Sequence, residues 1–472
     1  MSKNIVIYSD GTGQRGGILF DEPRSNIFKL FRGTRCGPDS AVNPAEQITF
    51  YDPGIGTKVP GAGFFLSVWN RVLNTFSQAM GLGLTGNIVD CYAALVRHWR
   101  PGDHIFLFGF SRGAYTVRCL GGVIALCGIP TTLEDGTPLT VDKKTARRIA
   151  KEAVKRAYQH THSRPRKAAD TRQIELLDQR DELARRFRAK YGAGTASGPN
   201  AYPHFIGVFD TVAALSSPKA IMILGGVGLA MTAAIATACS VFLPASAILD
   251  NWFFGAGIAL AAILSLAFII AFVGNFVSRM RSEIGLPHSK WWRPFHLLDM
   301  RMKFYDTGLN INVGYARHAL AIDERRKAFD RVPWGTPGVW PERPKDAPAW
   351  FEQLWFAGCH SDIGGSYPEE ESRLSDISLH WMLEAAHSVG LKYDPSVLKL
   401  YPDATGPQHD ETEGFPFKWA KKINRVILPE APLHPSVAER LRANEVLQYN
   451  IYKPYRPASL QQRRFLGGNS CT

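Results

Sequence analysis

Apolar residues come in short continuous runs and then switch to helical spacing, a pattern that predicts strands alternating with helices. Residues 4–8 (Asn-Ile-Val-Ile-Tyr) read as a first strand ending at Ser9-Asp10-Gly11-Thr12, and residues 48–51 as a second, stopped by Asp52-Pro53-Gly54. From Asn87 to Trp99, Ile88, Cys91, Tyr92, Leu95 and Trp99 recur on one side of a helix. Residues 105–110 are almost wholly apolar, as expected for a central parallel strand covered on both faces. Helical spacing returns from Arg112 to Cys127, with Gly128 placed to cap it. Residues 205–209 predict another buried strand ending at Asp210-Thr211, and 355–358 a short one leading into a loop, His360-Ser361-Asp362-Ile363-Gly364-Gly365. Helix patterns follow from Ser378 to His387 and from Pro435 to Leu447. The expected class is α/β, with a mostly parallel sheet.

The middle of the chain breaks this rhythm. Asp250 is the sole charged residue between Lys219 and Arg279. Each half has room for the roughly 20 apolar residues that cross a bilayer. Pro244 and Asp250-Asn251 offer a turn, and Gly225, Gly226 and Gly228 allow close helix contact. The expectation is an inserted transmembrane helical hairpin with spans near 220–243 and 252–277. Lys219, Arg279 and Arg281 put both outer ends in the cytoplasm by the basic-flank rule. Trp291-Trp292-Arg293-Pro294-Phe295-His296 has the composition of a membrane interface. Both flanking regions are therefore expected in one compartment, on the cytoplasmic side of a membrane.

Charge and cysteines narrow the classes. The 472 residues allow one large α/β domain plus additions. Of the formal net charge of +13, a net +10 falls between Lys143 and Lys190, where 16 Lys or Arg meet 6 Asp or Glu. Residues 142–190 read as two charged helices broken by His162-Ser163-Arg164-Pro165, either a solvated face or a lid and membrane-surface contact. No nucleic-acid-reading motif accompanies them, so nucleic acid is not an expected partner. Seven scattered cysteines without a CxxC pair point to reduced thiols. The first residues show no signal-peptide pattern. Clustered ligands such as HExxH are missing, and neither a metal nor a cofactor is expected.

Candidate chemistry gathers at Gly109-Phe110-Ser111-Arg112-Gly113, between the apolar run and the helix after it. That is the setting of the sharp turn that lifts a serine nucleophile out of an α/β-hydrolase sheet. A serine needs a base, and the base needs an acid to hold its tautomer. His360 is the best base, because His98 lies inside a helix and His104 and His204 sit at strand starts, away from the ends where α/β sites form. Asp210 ends a strand and precedes the histidine, giving the chain order Ser, Asp, His. Asp10 and Asp362 are the supporting or alternative acids, each also able to hold its own loop. The oxyanion hole is expected from the N–H of Arg112 and one from Gly11 or Thr12. The Arg112 guanidinium suits either a lipid phosphate or a nearby carboxylate. Cys359 adjoins His360, but its side chain is expected to point away.

These signals divide the chain into 1–141, the N-terminal hydrolase part with the nucleophile; 142–200, a basic helical insertion or lid; and 201–218, the strand carrying the acid. They continue with 219–281, the hairpin; 282–375, an interfacial segment and the rest of the core with the histidine; and 376–472, a C-terminal helical extension. The architecture expected is an α/β-hydrolase-like sheet with the hairpin and a helical cap region inserted.

Several blocks carry a resemblance: Ser9-Asp10-Gly11-Thr12, Tyr51-Asp52-Pro53-Gly54-Ile55-Gly56-Thr57, Phe106-Leu107-Phe108-Gly109-Phe110-Ser111-Arg112-Gly113-Ala114-Tyr115 and Gly207-Val208-Phe209-Asp210-Thr211-Val212. Ala319 to Arg326 and His360 to Tyr367 complete them. With these the chain resembles the uncharacterised α/β-hydrolases related to the phospholipase effectors of the type VI secretion system. The resemblance implies a triad at Ser111, Asp210 and His360 and a loop at Asp10, Gly11 and Thr12. It also implies release of fatty acid from glycerophospholipids, with a membrane-associating region inserted in the fold. The expected function is a serine hydrolase of membrane-lipid esters, a phospholipase of A1 or A2 type, with the phospholipid membrane and an ester lipid as partners. The alternatives are a lipase, thioesterase or small-ester hydrolase, or a membrane-anchored interaction protein without activity. With the hairpin and the resemblance together, the expected location is a bacterial inner membrane with the catalytic domain on the cytoplasmic side, and an exported effector with a secretion apparatus or immunity partner is the alternative.

Overall fold

The structure, a computed structural model, describes residues 2–11, 22–54, 82–140, 142–162, 169–212, 273–274, 276–298, 308–332, 334, 340–412 and 421–461. Strands β1 (Asn4–Ser9), β2 (Gln47–Asp52), β3 (His104–Phe110), β4 (Phe205–Phe209), β5 (Tyr315–Ala321) and β6 (Phe351–Phe356) form one sheet in the order β2-β1-β3-β4-β5-β6. Every neighbouring pair is parallel. Among the described residues the α-helices are α1 (Asn26–Thr34), α2 (Leu82–His98), α3 (Arg112–Cys127), α4 (Lys143–Lys151), α5 (Thr171–Tyr191), α6 (His360–Gly364), α7 (Arg373–His387) and α8 (Pro435–Arg442).

The apolar runs have their cause in this arrangement. Successive strand side chains point to opposite faces, and here both faces are covered. Ile105 and Leu107 of β3 join a core with α2, α3, α4 and α5, whereas Phe106, Phe108 and Phe110 join a second core with α1 and α7. The basic insertion packs its apolar side inward: Ala146, Ile149 and Ala150 of α4 and Ala184 and Phe187 of α5 are buried in the first core. Asp142 and Asp170 cap α4 and α5 by accepting first-turn N–H bonds, and Gly192 ends α5 in the left-handed region. A third core of Leu320, Ile322, Trp355, Ile427, Val437, Val446 and Tyr455 seals the β5–β6 edge with C-terminal residues. C-terminal residues thus pack directly against the end of the sheet.

Two expectations about the membrane are corrected. Among the described residues no helix is long and apolar enough to cross a membrane. Nearly all of the spans 220–243 and 252–277 lie outside the described residues, and at the end of the second, Val273, Phe276 and Val277 are exposed. The inserted transmembrane hairpin is therefore withdrawn, and with it the inner-membrane location with a cytoplasmic catalytic domain. A run without charges shows that burial costs little there; it does not say what does the burying.

Within α2, Gly86 has nothing within 4 Å of where a Cβ would stand. Gly86→Ala removes backbone entropy from the unfolded chain without a clash, and should raise stability by about 0.5–1 kcal/mol. A denaturant midpoint at or below wild type would contradict it.

Candidate active site

Ser111 stands alone between the last residue of β3 and the first of α3, with φ 57° and ψ −120°. A non-glycine residue there stores about 1–3 kcal/mol of strain, which its surroundings must hold. The Ser111 N–H donates to Phe209 O at 3.1 Å, and the Val212 N–H donates to Ser111 O at 3.3 Å. These bonds tie the turn to the end of β4. Glycines flank it because backbones close in: a Cβ on Gly109 would lie 2.5 Å from Gly113 O, and one on Gly113 only 2.0 Å from Ser9 O. The sheet order reverses between β1 and β3, and α/β ligands bind at the carboxyl ends of the strands at such a switch point. Ser111 lies at that point.

Asp210 follows β4 directly and is fully buried. Its N–H donates to Ala319 O at 2.8 Å, and its Oδ1 accepts from the Ala321 N–H at 3.0 Å, so β5 fixes the carboxylate. Oδ2 lies 2.6 Å from His360 Nδ1. The imidazole is wedged between Phe110 and Phe329, with ring centroids 4.6 and 5.0 Å away. His360 starts α6, a five-residue helix where the sequence predicts a loop, and its N–H donates to Glu324 Oε2 at 3.2 Å. Phe110 also shapes this loop, since a Cβ on Gly364 would meet its ring at 1.9 Å. With Nδ1 on the carboxylate, the hydrogen-bond network assigns the ring proton to Nδ1 and leaves Nε2 as acceptor. His360 Nε2 is buried and has no hydrogen-bond partner among the described residues.

Sequence reasoning missed the group that completes this arrangement. Arg425, itself buried, donates from Nη1 to Asp210 Oδ1 and from Nη2 to Oδ2, the latter at 3.0 Å. Burial pushes Asp210 upward, but the Arg425 charge and the His360 bond hold it well below the usual carboxylate range, and it is ionised. Arg425 follows Lys421-Lys422-Ile423-Asn424 and looks in sequence like part of a solvated basic run.

The other candidates have separate places. Asp10 accepts from the Gly11 N–H at 2.7 Å, from Tyr51 Oη at 2.8 Å and from Ser25 Oγ. It holds the loop after β1, and it occupies the Gly11 N–H that an oxyanion would need. Thr12 lies outside the described residues. Arg112 opens α3, so its N–H has no intrahelical acceptor. Its guanidinium is largely buried, and burial brings it down to about 10. Asp362 does not reach the His360 ring. It accepts from the Cys359 N–H at 2.9 Å and meets His409 Nδ1 at 2.7 Å, pinning α6 to the C-terminal segment. His104 and His204 stack at 4.5 Å at the amino ends of β3 and β4, the opposite ends of these strands from Ser111 and Asp210. Cys359 is buried, and burial raises its thiol well above the ordinary value, unlike a nucleophilic thiolate.

Burial pushes Asp10 from 3.8 up to about 6 against its hydrogen bonds. Between those values the folded chain holds a proton that the unfolded chain has lost. The stability contribution is full below pH 3.8 and is lost as pH rises through 6. Asp10→Asn should flatten the decline of unfolding free energy across that window by about 1–3 kcal/mol. Urea melts at pH 4 and 6.5 check it, and an unchanged slope would refute it.

The description of a type VI secretion phospholipase effector, Tle1-like, catalytic domain matches residues 3–249 and 266–385, more than half of the chain. The chain belongs to this family. An uncharacterized protein of Saccharomyces cerevisiae is 35% identical over 132 residues, covering 27% of this chain and 18% of its own length. A crystal structure of an uncharacterized Pseudomonas aeruginosa protein aligns with a TM-score of 0.33 at 15% identity, over 85% of this chain and 48% of the other. At that score the likeness carries no argument about this chain. The Tle1-like chain thus spans about a fifth of the yeast protein and about half of the Pseudomonas one.

Proposed function

We propose that Ser111, His360 and Asp210 act as a serine-hydrolase triad that cleaves carboxylic esters of lipids through an acyl-enzyme. What carries the reading is the 2.6 Å contact of His360 Nδ1 with an ionised Asp210, which leaves a buried, unpartnered Nε2 on a ring packed against Phe110, the residue before the strained Ser111 turn. His360 Nε2 takes the hydroxyl proton as Ser111 Oγ bonds to the ester carbonyl carbon. The Arg112 N–H and a second N–H from the Thr12 side stabilise the oxyanion. The bond to the alcohol then breaks, and the imidazolium returns the proton to that oxygen. Water, deprotonated by Nε2, attacks the acyl carbon, releases the fatty acid and restores Ser111. Asp210 keeps the tautomer and stabilises the imidazolium throughout.

Family membership supports the class of lipid-ester hydrolases, including lipase and thioesterase activities, and phospholipase A1 or A2 action is its narrowest member. The effector description favours export over residence in a membrane. The deciding experiment incubates wild type and Ser111→Ala with phosphatidylethanolamine and phosphatidylglycerol vesicles, a triacylglycerol emulsion and an acyl thioester, and analyses the products. Fatty acid with matching lysophospholipid, present for wild type and lost in the variant, supports phospholipase A action. Fatty acid from the neutral ester or thioester alone moves the substrate to those classes. Equal release by the variant overturns the mechanism.

A further inference from the structure

Arg425 lies outside the residues matched by the catalytic-domain family, which end at 385. Even so, it makes the closest charged contact to the acid. One guanidinium edge meets both Asp210 oxygens, and the same two nitrogens donate to Ala321 O at 3.0 Å and Phe329 O at 2.9 Å. It thereby grips the end of β5 and the residue whose ring packs on His360. The segment carrying it is anchored on both sides. The Ile423 N–H donates to Arg325 O at 2.7 Å, and Ile427 is buried in the third core.

We propose that Arg425 is a positioning residue of the triad, clamping the Asp210 carboxylate in the ionised state and in the orientation that His360 requires. The proposal rests on the triad reading above and adds to it a member from the C-terminal segment. A two-point fork fixes the carboxylate plane, which a lysine ammonium cannot do. Without a fixed cation, burial drives Asp210 towards its neutral form, and a neutral acid no longer fixes the imidazole as hydrogen-bond donor through Nδ1.

The other charges facing the pair come from several elements. His318 on β5 and Arg331 face Asp210, while Glu324 and Asp330 face Arg425, and Glu324 also faces His360. Burial lowers His318 to about 3, so it stays neutral across the working range. Glu324, although buried, is held below the ordinary carboxylate range by the Arg326 guanidinium and keeps its charge. Loss of Arg425 alone therefore removes the cation bound directly to Asp210.

The test follows labelling of the full chain by an alkyl fluorophosphonate between pH 5 and 9, with folding checked by thermal melts. In that reaction the Ser111 Oγ–P bond forms as P–F breaks, fluoride leaves, and the hydroxyl proton passes to His360 Nε2. Arg425→Gln should label about tenfold or more slowly at pH 7, with its acid limb moved up by about one pH unit. Arg425→Lys should keep the limb near wild type and still lose rate. In an Asp210→Asn background Arg425→Gln should add less than about twofold, because the group it serves is already gone. If Arg425→Gln alone does not fold, the double variant, in which neither buried charge is stranded, decides by the same comparison. An unmoved acid limb, or an equal further slowing in the Asp210→Asn background, overturns the assignment. Labelling that persists at the wild-type rate in Ser111→Ala overturns the triad reading and the proposal with it. Labelling confined to Ser111 yet untouched by Arg425→Gln overturns the Arg425 assignment alone.

Discussion

His360→Ala lowers kcat/KM on the lipid ester by about 10⁴–10⁶-fold, Ser111→Ala does the same, and the double variant is no slower than either single. The reason is that proton removal and attack are one event. With His360 gone, the serine hydroxyl has no base in the proposed mechanism, because His360 Nε2 is the group that takes its proton. With Ser111 gone, the base has nothing to activate. What remains in each case is the residual catalysis of an oxyanion site and bound substrate. Asp210→Asn should cost less, about 10⁴-fold, because the base survives in the wrong tautomer. Folding does not confound the histidine variant, because Asp210 keeps its bidentate partner Arg425. Losses of Ser111→Ala and His360→Ala that multiply in the double variant, or an Asp362→Asn loss as large as that of Asp210→Asn, would place the chemistry elsewhere.

The parts legible in sequence were those whose geometry demands particular residues at short spacing. A serine at φ 57° between a buried strand and a helix needs glycine two residues before and two after, and that signature survives in any context. Strands β3 and β4 announced themselves as apolar runs because both faces are covered. Features set by distant partners left no such trace. Arg425 meets Asp210 across 215 residues of chain, and in sequence it stands between exposed Asn424 and Val426, just after the exposed Lys421 and Lys422. The Gly11 N–H looked available for an oxyanion, but the adjacent carboxylate takes it. The five-residue helix at His360 is too short to show a period. Near the C-terminus the predicted helix to Leu447 stops at Arg442, because residues 446–448 pair with 451–453 around Tyr449 and Asn450, both at positive φ. The hairpin expectation failed for a related reason. Hydropathy counts what a segment avoids, and the lipid or protein that would cover it is not written in the segment.

Gly113→Ala abolishes folding or destabilises the chain by more than about 3 kcal/mol, although the change adds a single methyl group. The added carbon would stand 2.0 Å from Ser9 O, 2.5 Å from Ser9 C and 2.6 Å from Asp10 O, all backbone atoms. A flexible side chain could turn aside, but the end of β1 has no such freedom. Ser9 is paired with Asp52 on one side and Gly109 on the other, so moving it strains two parallel ladders at once. Retreat of α3 is equally blocked, because Ala114, Val117 and Leu120 are fully buried behind it. The helix therefore sits against β1 at a distance that glycine alone permits, and this closeness brings Ser111 beside the Asp10–Gly11 loop. Guanidinium melts of Gly113→Ala beside Gly86→Ala measure the contrast, since the same chemical change is harmless where nothing lies within 4 Å. A Gly113→Ala chain that melts with wild type and keeps its hydrolysis would mean that β1 and α3 stand further apart, and the close packing invoked for the serine turn would then have no basis.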